Sequence, residues 1–235
     1  MLFARSLLFV VLFYLWWTII ALAWLPLLIF PGRWMVGPMK LQAHVTVQIL
    51  RLACGVRVEF RGLHNLPAGA VLIGAKHQCM LDTIAPWTVL SNATYVMRDS
   101  LLRIPFYGWY SVKAGMIPID REGHASALRR MLAAAKAAIA AGRQIVIFPE
   151  GTRLPPGVTG HYKPGVAALY KSLGVPCVPL ATNSGAHWPP HGFIRRPGLI
   201  VYEFMEPIPP GQDRREFMRL LEERVETGSK ALIGL

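Results

Sequence analysis

The chain has few charged residues, few cysteines and no internal repeat or low-complexity linker. Charged residues make up 16% of its 235 residues and hydrophobic residues 53%, a balance that leans toward membrane-associated proteins. The three cysteines, Cys54, Cys79 and Cys177, form no closely spaced pair, which argues against a disulfide framework or a zinc ribbon and favours a reducing compartment. The length allows one domain with a substantial core, or one domain with a short appendage.

Acidic residues are also scarce. The chain has 13 Asp and Glu residues against 25 Lys and Arg residues, which gives a formal net charge of +12. The basic residues are scattered and form no stripe with aromatic residues, so we expect no nucleic-acid partner. A basic surface concentrates anions, which favours anionic lipid headgroups and acidic carriers as partners.

Metal-binding motifs are absent as well. The sequence contains neither H-E-x-x-H nor paired C-x-x-C spacing, so we expect no resident metal ion. A metal-dependent hydrolase that used His77, Cys79, Asp82 and Glu150 as ligands is a distant alternative, and loss of activity after chelator treatment would identify it.

The N-terminal part carries no charge from residue 7 to residue 30, enough for a helix that crosses a hydrocarbon core of about 30 Å. Pro26 is expected to kink or end that helix. A cleaved signal peptide is disfavoured, because the apolar run is long and no small-residue cleavage site follows it. Arg5 alone precedes the run and several basic residues follow it, so the positive-inside rule predicts a cytoplasmic location for the rest.

A second helix is predicted downstream, because Leu41, Val45, Ile49 and Leu52 recur at helical spacing. It could pair with the first helix and dip into one leaflet, so a full span and a one-leaflet arrangement both stay open. We expect membrane-associating helices over residues 1–55 and a globular domain over residues 56–235, on the cytoplasmic face of the (inner) membrane.

Beyond residue 55 the pattern indicates strands alternating with helices. The predicted strands are Val56–Arg61, Val71–Ala75, 144–148 and 199–204. The predicted helices are 81–90, 125–141 and 214–232, and the predicted loops are 155–165 and 188–197. The expected fold class is α/β: a mixed, largely buried sheet flanked by helices, with an N-terminal membrane-associating helical segment.

The run KHQCMLD, residues 76–82, places a histidine and an aspartate just after a predicted strand. One helix face would not present both groups, but Asp82 in a first helical turn could reach back to His77 in the entry loop. The aspartate would then fix the tautomer of the ring, whose free nitrogen would accept a proton. For this run alone, a buried structural histidine with Asp82 as a helix cap is an equally good interpretation.

The run FPEGTR, residues 148–153, follows another predicted strand, as a ligand-binding loop does in an α/β sheet. Gly151 permits a tight turn, and the planar guanidinium of Arg153 matches a phosphate group. Glu150 is acidic and is not expected to contact phosphate directly. A surface turn with an ion pair would explain the glycine but not the whole run.

Two more runs, GMIPIDR at residues 115–121 and VPCVP at 175–179, complete an ordered set of four. From about residue 56 to 206 the chain resembles the glycerolipid acyltransferase family, and it is most like the 1-acylglycerol-3-phosphate O-acyltransferases (lysophosphatidic acid acyltransferases). The resemblance implies transfer of an acyl group from acyl-coenzyme A or acyl-acyl carrier protein, as co-substrate, to the free hydroxyl of 1-acylglycerol-3-phosphate. Phosphatidic acid would be the product, and no cofactor would be needed.

The same resemblance implies roles for individual residues. His77 and Asp82 would form the catalytic pair, and Arg153, Arg121 and Lys113 would bind the substrate phosphate. Glu150, Gly151 and Thr152 would position the substrate, with Glu150 holding a glycerol hydroxyl or an arginine. Cys79 would not be a nucleophile, because the acceptor hydroxyl attacks directly, and VPCVP would serve packing or line the acyl chain.

Other functions stay open beside this one. The same chemistry could act on glycerol-3-phosphate or on a lyso-ornithine lipid, and the role of the phosphate-binding residues would discriminate between them. A non-catalytic lipid-binding membrane protein is a more distant alternative, which release of thiol from acyl-coenzyme A would exclude. The oligomeric state cannot be read from the sequence.

Overall fold

A computed structural model of the chain describes residues 1–120 and 124–234. Within these residues the strands form one seven-stranded sheet. The strands are β1 (Val56–Arg61), β2 (Val71–Ala75), β3 (Ala93–Arg98), β4 (Ile117–Ile119), β5 (Gln144–Ile147), β6 (Cys177–Thr182) and β7 (Gly198–Phe204). Their order across the sheet is β1-β7-β6-β2-β5-β3-β4.

The sheet is mixed, as predicted. The five strands from β6 to β4 in the sheet order are parallel to their neighbours, whereas β7 is antiparallel to β6 and β1 is parallel to β7. Every residue of β2, β5 and β6 is buried, because these central strands are covered on both faces. The expected fold class, an α/β domain with a largely buried sheet, is therefore confirmed.

Helices cover both faces of the sheet. They are α1 (Leu2–Ala23), α2 (Val36–Cys54), α3 (Tyr107–Lys113), α4 (His124–Ala140), α5 (Gly165–Leu173), α6 (Ser184–His187) and α7 (Arg214–Ala231). One apolar core joins α1 and α2 to the sheet through residues such as Phe9 and Leu50, and a second core joins α4, α5 and α7 to the opposite face. The helix α7 lies so close to β2 that a Cβ atom at Gly74 would approach the Leu221 side chain to 2.7 Å.

The predicted helix over residues 81–90 is wrong. The chain instead forms two 3₁₀ turns, Met80–Thr83 and Ala85–Thr88. Pro86 lies in the second turn, and a proline inside an α-helix would remove a backbone donor and clash with the preceding turn. Asp82 consequently lies in a short turn that folds back toward residues 77–79, rather than in the first turn of a long helix.

At the N-terminus, α1 ends before Pro26, as predicted, and α2 packs against it. Phe9 and Phe13 point into the core, whereas many apolar side chains of α1 are exposed, among them Leu8, Val11 and Leu15. Within the described residues, α1 is the one helix long and apolar enough to cross a membrane, with a mean hydropathy of 2.3. The division at residue 55 and the choice between a span and one leaflet stay predictions.

Candidate active site

Three loops meet at one edge of the sheet. His77 follows β2, the loop of residues 148–153 follows β5, and Ser184 follows β6. Because β6, β2 and β5 are parallel neighbours, their carboxyl ends lie at the same edge, where ligands bind in open α/β sheets. Runs that lie far apart in sequence are thereby brought together.

The structure brings His77 and Asp82 into direct contact. Nδ1 of His77 lies 3.0 Å from Oδ2 of Asp82, and the imidazole stacks on the ring of Phe148 with centroids 4.1 Å apart. The carboxylate accepts the Nδ1 proton, so Nε2 is the ring nitrogen with a free lone pair. The side chain of His77 is 15% exposed, which leaves it accessible from the adjoining cavity.

Asp82 is buried and surrounded by hydrogen-bond donors. Its Oδ2 also accepts from the backbone N–H groups of Gln78 (2.6 Å) and Cys79 (2.8 Å). Its Oδ1 accepts from the hydroxyls of Ser184 (2.6 Å) and Tyr202 (2.9 Å). Burial alone would raise the pKa of this carboxyl, but the bonds and charge of these partners, His77 first, hold it below its usual value. The aspartate is therefore ionised at neutral pH.

Cys79 shares this environment but is not suited to attack a substrate. Its side chain is fully buried, and Sγ lies 3.6 Å from Oδ1 of Asp82. Burial, together with the charge of Asp82, raises the pKa of the thiol well above its ordinary value. The thiolate, which is the nucleophilic form, is therefore strongly disfavoured at neutral pH.

A buried charge cluster lies behind the histidine. Nζ of Lys76 lies 2.7 Å from Oε1 of Glu150 and 2.7 Å from Oε1 of Glu226 on α7, and it donates to the Val158 carbonyl at 2.8 Å. Glu226 also accepts from the hydroxyls of Tyr162 and Thr159, and these bonds tie the loop after β5 to α7. One ammonium thus neutralises part of the charge of two buried carboxylates.

Glu150 belongs to this charge cluster. Its carboxylate contacts Lys76, the backbone N–H of His77 (3.4 Å) and that of Gly160 (3.3 Å), and the residue does not line the substrate-sized cavity. The cation that Glu150 holds in the structure is Lys76, and the role of Glu150 in positioning the substrate stays a prediction. Its contacts link the loop after β5 to the backbone of His77.

The charge cluster leads to a stability prediction. Lys76→Met should lower the free energy of unfolding by about 3–5 kcal/mol, because two buried carboxylates lose their counterion. Burial already raises the pKa of Glu150 while Lys76 lowers it. Without the lysine the folded-state pKa rises further, so protonation at lower pH should relieve part of the loss.

Denaturant unfolding in detergent at several pH values measures this effect. Lys136→Met on the exposed side of α4 is the matched control and should change stability by less than about 0.5 kcal/mol. If the loss of unfolding free energy in Lys76→Met stayed constant or grew as the pH fell, a role for Lys76 as counterion would be contradicted.

A cavity of about 1580 Å³ opens beside His77. Its walls are mainly apolar and come from the sheet edge, from α3 to α5, and from α1, which contributes Phe13, Tyr14, Trp17, Thr18, Ile20, Ala21 and Leu22. Gly151, Thr152 and Arg153 also line it, and Gly151 has a φ of 67°, the left-handed conformation that glycine adopts readily. The cavity therefore combines a proton acceptor, a basic group and a long apolar surface.

The predicted phosphate-binding residues are only partly brought together. Arg153 lines the cavity, and its Nη1 makes one long bond, 3.4 Å, to the Pro190 carbonyl. Lys113 is not among the lining residues, because it ends α3 where that helix packs tightly against Gly32. Arg121 lies outside the described residues.

Other basic residues line the cavity and were missed from the sequence: Arg98, Lys163, Lys171 and Arg214. They come from the end of β3, from the residues just before α5, from the last turn of α5 and from the start of α7. Scattered basic residues carry no signal in a sequence this basic, so only the fold reveals the group. Within the described part of the chain, no three His, Cys, Asp or Glu side chains are grouped as a metal site requires.

Comparison with known proteins gives consistent matches. A protein-family model described as "Acyltransferase" matches residues 57–183. A 1-acyl-sn-glycerol-3-phosphate acyltransferase of Pseudomonas aeruginosa is 34% identical over 154 residues, 66% of this chain and 60% of the relative. The protein of the same name from Borreliella burgdorferi is 29% identical over 164 residues, 69% of this chain and 65% of the relative. The chain thus covers less than two thirds of the length of these relatives.

A solved structure has the same fold. It is the 1-acyl-sn-glycerophosphate (LPA) acyltransferase PlsC from Thermotoga maritima, with a TM-score of 0.80 over 98% of this chain and 97% of the other. The two sequences are 22% identical, so the match is evidence for the fold. It includes the N-terminal helices as well as the sheet.

Proposed function

The chain belongs to the acyltransferase family, and from this premise we propose that it is a membrane-associated 1-acylglycerol-3-phosphate O-acyltransferase. The donor is an acyl thioester of coenzyme A or of acyl carrier protein. The acceptor is the free hydroxyl of 1-acylglycerol-3-phosphate, and the products are phosphatidic acid and the free thiol.

The observation that carries this proposal is the His77–Asp82 pair at the wall of the large apolar cavity. Nε2 of His77 removes the proton from the acceptor hydroxyl as its oxygen attacks the thioester carbonyl. The C–S bond then breaks, and the imidazolium returns the proton to the departing thiolate, so an ester and a thiol are formed. General-base assistance of this kind contributes about 10²–10⁴ in rate, and orientation in the cavity adds to it.

The cavity also suits the acceptor. Arg153 lines it together with Arg98 and Lys163, and these cations supply the charge that a phosphomonoester needs. Arg121 stays a proposed phosphate-binding residue. Lys113 also stays one, although its side chain does not line the cavity and would have to reach the phosphate from beyond its wall. The apolar walls accommodate acyl chains and limit water, which would otherwise hydrolyse the thioester.

The proposed attachment to the membrane rests on the helix α1. We propose that its exposed apolar face anchors the enzyme in the (inner) membrane with the catalytic edge on the cytoplasmic side, where both thioester donors occur. Protease accessibility of the folded domain in right-side-out and inverted vesicles tests the side. Cleavage confined to right-side-out vesicles would contradict the cytoplasmic placement.

One experiment tests the proposed reaction. The purified full chain is incubated with each acyl donor and with a panel of 1-acylglycerol-3-phosphate, glycerol-3-phosphate, lyso-ornithine lipid and monoacylglycerol, and mass spectrometry identifies the lipid formed. Phosphatidic acid from 1-acylglycerol-3-phosphate is the expected product. Efficient acylation of another acceptor in preference to this one would overturn the acceptor assignment.

Arg153 offers a prediction on selectivity. Arg153→Ala should lower kcat/KM for 1-acylglycerol-3-phosphate by about 10- to 100-fold, because charge-assisted bonds to the phosphate are lost. Any activity on monoacylglycerol, which has no phosphate, should change far less. Arg130→Ala, on the exposed side of α4, is the control. Equal losses on both acceptors would indicate a structural role for Arg153.

Cys79 offers a prediction on mechanism. Cys79→Ser and Cys79→Ala should each retain most of the activity, within about threefold, because a buried thiol with a raised pKa is not the nucleophile. Mass spectrometry of the wild-type protein after exposure to acyl-coenzyme A alone should show no acyl adduct. An adduct on Cys79 that lysophosphatidate releases would replace direct transfer by a covalent mechanism.

A further inference from the structure

A second, smaller cavity lies between α1 and the loop of residues 188–195. Its volume is about 310 Å³, and it is lined by Phe9, Val10, Phe13, Tyr14, Met80, Trp188, His191, Gly192, Phe193 and Arg195. It shares Phe13, Tyr14 and Met80 with the large cavity, but His77 and Arg153 do not line it. None of the residues predicted to bind substrate belongs to it.

The unusual member of this cavity is Arg195, which is 8% exposed. Its Nη1 donates to the carbonyls of Gly192 (2.7 Å) and Phe193 (2.8 Å), but its buried Nε has no hydrogen-bond partner in the described part of the chain. Among those residues no carboxylate lies within the 4.0 Å of an ion pair with it. Burial also lowers the pKa of this guanidinium.

Aromatic rings compensate only part of this charge. The guanidinium carbon lies 4.4 Å from the centroid of the Trp188 ring and 5.6 Å from that of Phe9. Such contacts stabilise a cation through the faces of the rings, but they give the in-plane Nε–H group no acceptor. A buried guanidinium with a free donor and no counterion is the kind of group that an anion completes.

The surroundings indicate where such an anion comes from. Phe193, at the rim of the cavity, is 40% exposed and packs against the exposed ring of Phe3 with centroids 5.2 Å apart. The rim therefore continues the exposed apolar face of α1. This continuity would let a phospholipid that lay against α1 reach the cavity with its phosphate group.

We propose that this cavity binds the phosphate of a membrane phospholipid, with Arg195 as the cation and His191 as a second donor. A free phosphate ion offers the same chemistry, so the test distinguishes the two sources. The site is independent of the proposed reaction, because its readout is local to Arg195 and does not require turnover.

The experiment follows the Nε–H resonance of Arg195 by NMR of the full chain labelled with ¹⁵N-arginine in phosphate-free maltoside micelles. Loss of one resonance in Arg195→Lys assigns it. Phosphatidylglycerol or inorganic phosphate is then added at matched phosphate concentrations. The phospholipid is expected to shift the resonance saturably, and His191→Ala should weaken that binding by about tenfold.

Two variants serve as controls. Arg196→Lys removes the exposed neighbouring arginine, and Arg153→Ala removes a basic group of the large cavity; neither should change the titration. Equal shifts with inorganic phosphate would assign the site to free phosphate and overturn the lipid source. No shift with either probe would overturn the site, and His191→Ala keeps the test decisive if Arg195→Lys fails to fold.

Discussion

His77→Ala is expected to lower kcat by about 10²–10⁴-fold while membrane association and the fold are retained. The imidazole is the one group whose free nitrogen can take the acceptor proton, since its other nitrogen is bound to Asp82. Its removal deletes a stacking contact with Phe148 but no buried charge, so the free energy of unfolding should fall by about 1 kcal/mol at most.

The measurement compares phosphatidic acid formation with membrane flotation and thermal unfolding of the same preparation. His44→Ala on the exposed side of α2 is a matched control and should keep full activity. Near-normal turnover by folded His77→Ala would show that the general base is another group. Loss of activity together with loss of flotation would point to misfolding instead.

Asp82→Asn should lower kcat by about 10²–10⁴-fold and also destabilise the fold. The carboxylate accepts from His77, from two backbone N–H groups and from the hydroxyls of Ser184 and Tyr202. An asparagine has a single acceptor oxygen, so its NH₂ group would face donors, and the ring of His77 would lose its fixed orientation. We expect a stability loss of about 2–4 kcal/mol.

The pH dependence gives this prediction a second readout. Because the folded-state pKa of Asp82 is lowered, its carboxylate stabilises the fold above the unfolded pKa of about 4, and this contribution disappears as the pH falls through the folded pKa. The stability difference between wild type and Asp82→Asn should therefore shrink in acid. Asp213→Asn, at the exposed cap of α7, should cost about 1 kcal/mol or less. A difference that did not shrink at all as the pH was lowered would argue that Asp82 is not ionised in the fold.

Local patterns predicted the elements that carry the site. The short apolar runs predicted β2 and β5, because central parallel strands are buried on both faces. Gly142 predicted the end of α4. The predicted helix over residues 81–90 is wrong, because Pro86 lies inside it and the chain forms two short 3₁₀ turns instead. The error concerns the turn that returns Asp82 to His77.

Contacts between distant residues could not be predicted in the same way. Ser184 and Tyr202 reach Asp82 because β6 lies beside β2 in the sheet and β7 lies beside β6. Glu226 reaches Lys76 across 150 sequence positions. No spacing rule connects such residues in one sequence. The ion pair of Glu150 was not predicted for the same reason, because its cation, Lys76, belongs to another loop of the sheet edge.

The helix α1 both lines the large cavity and carries an exposed apolar face. One helix therefore influences two properties of the protein, the shape of the cavity and the proposed fit to the membrane. Seven of its residues line the cavity proposed for the acyl chain, while its outer side carries the exposed apolar side chains proposed to meet lipid. A substitution that adapts the outer side to a thicker or thinner bilayer and shifts the helix would also change the length of chain that fits inside. Membrane adaptation and fatty-acid preference would then evolve together. A chimera that received its N-terminal helix from another protein would also acquire that protein's preference for acyl-chain length.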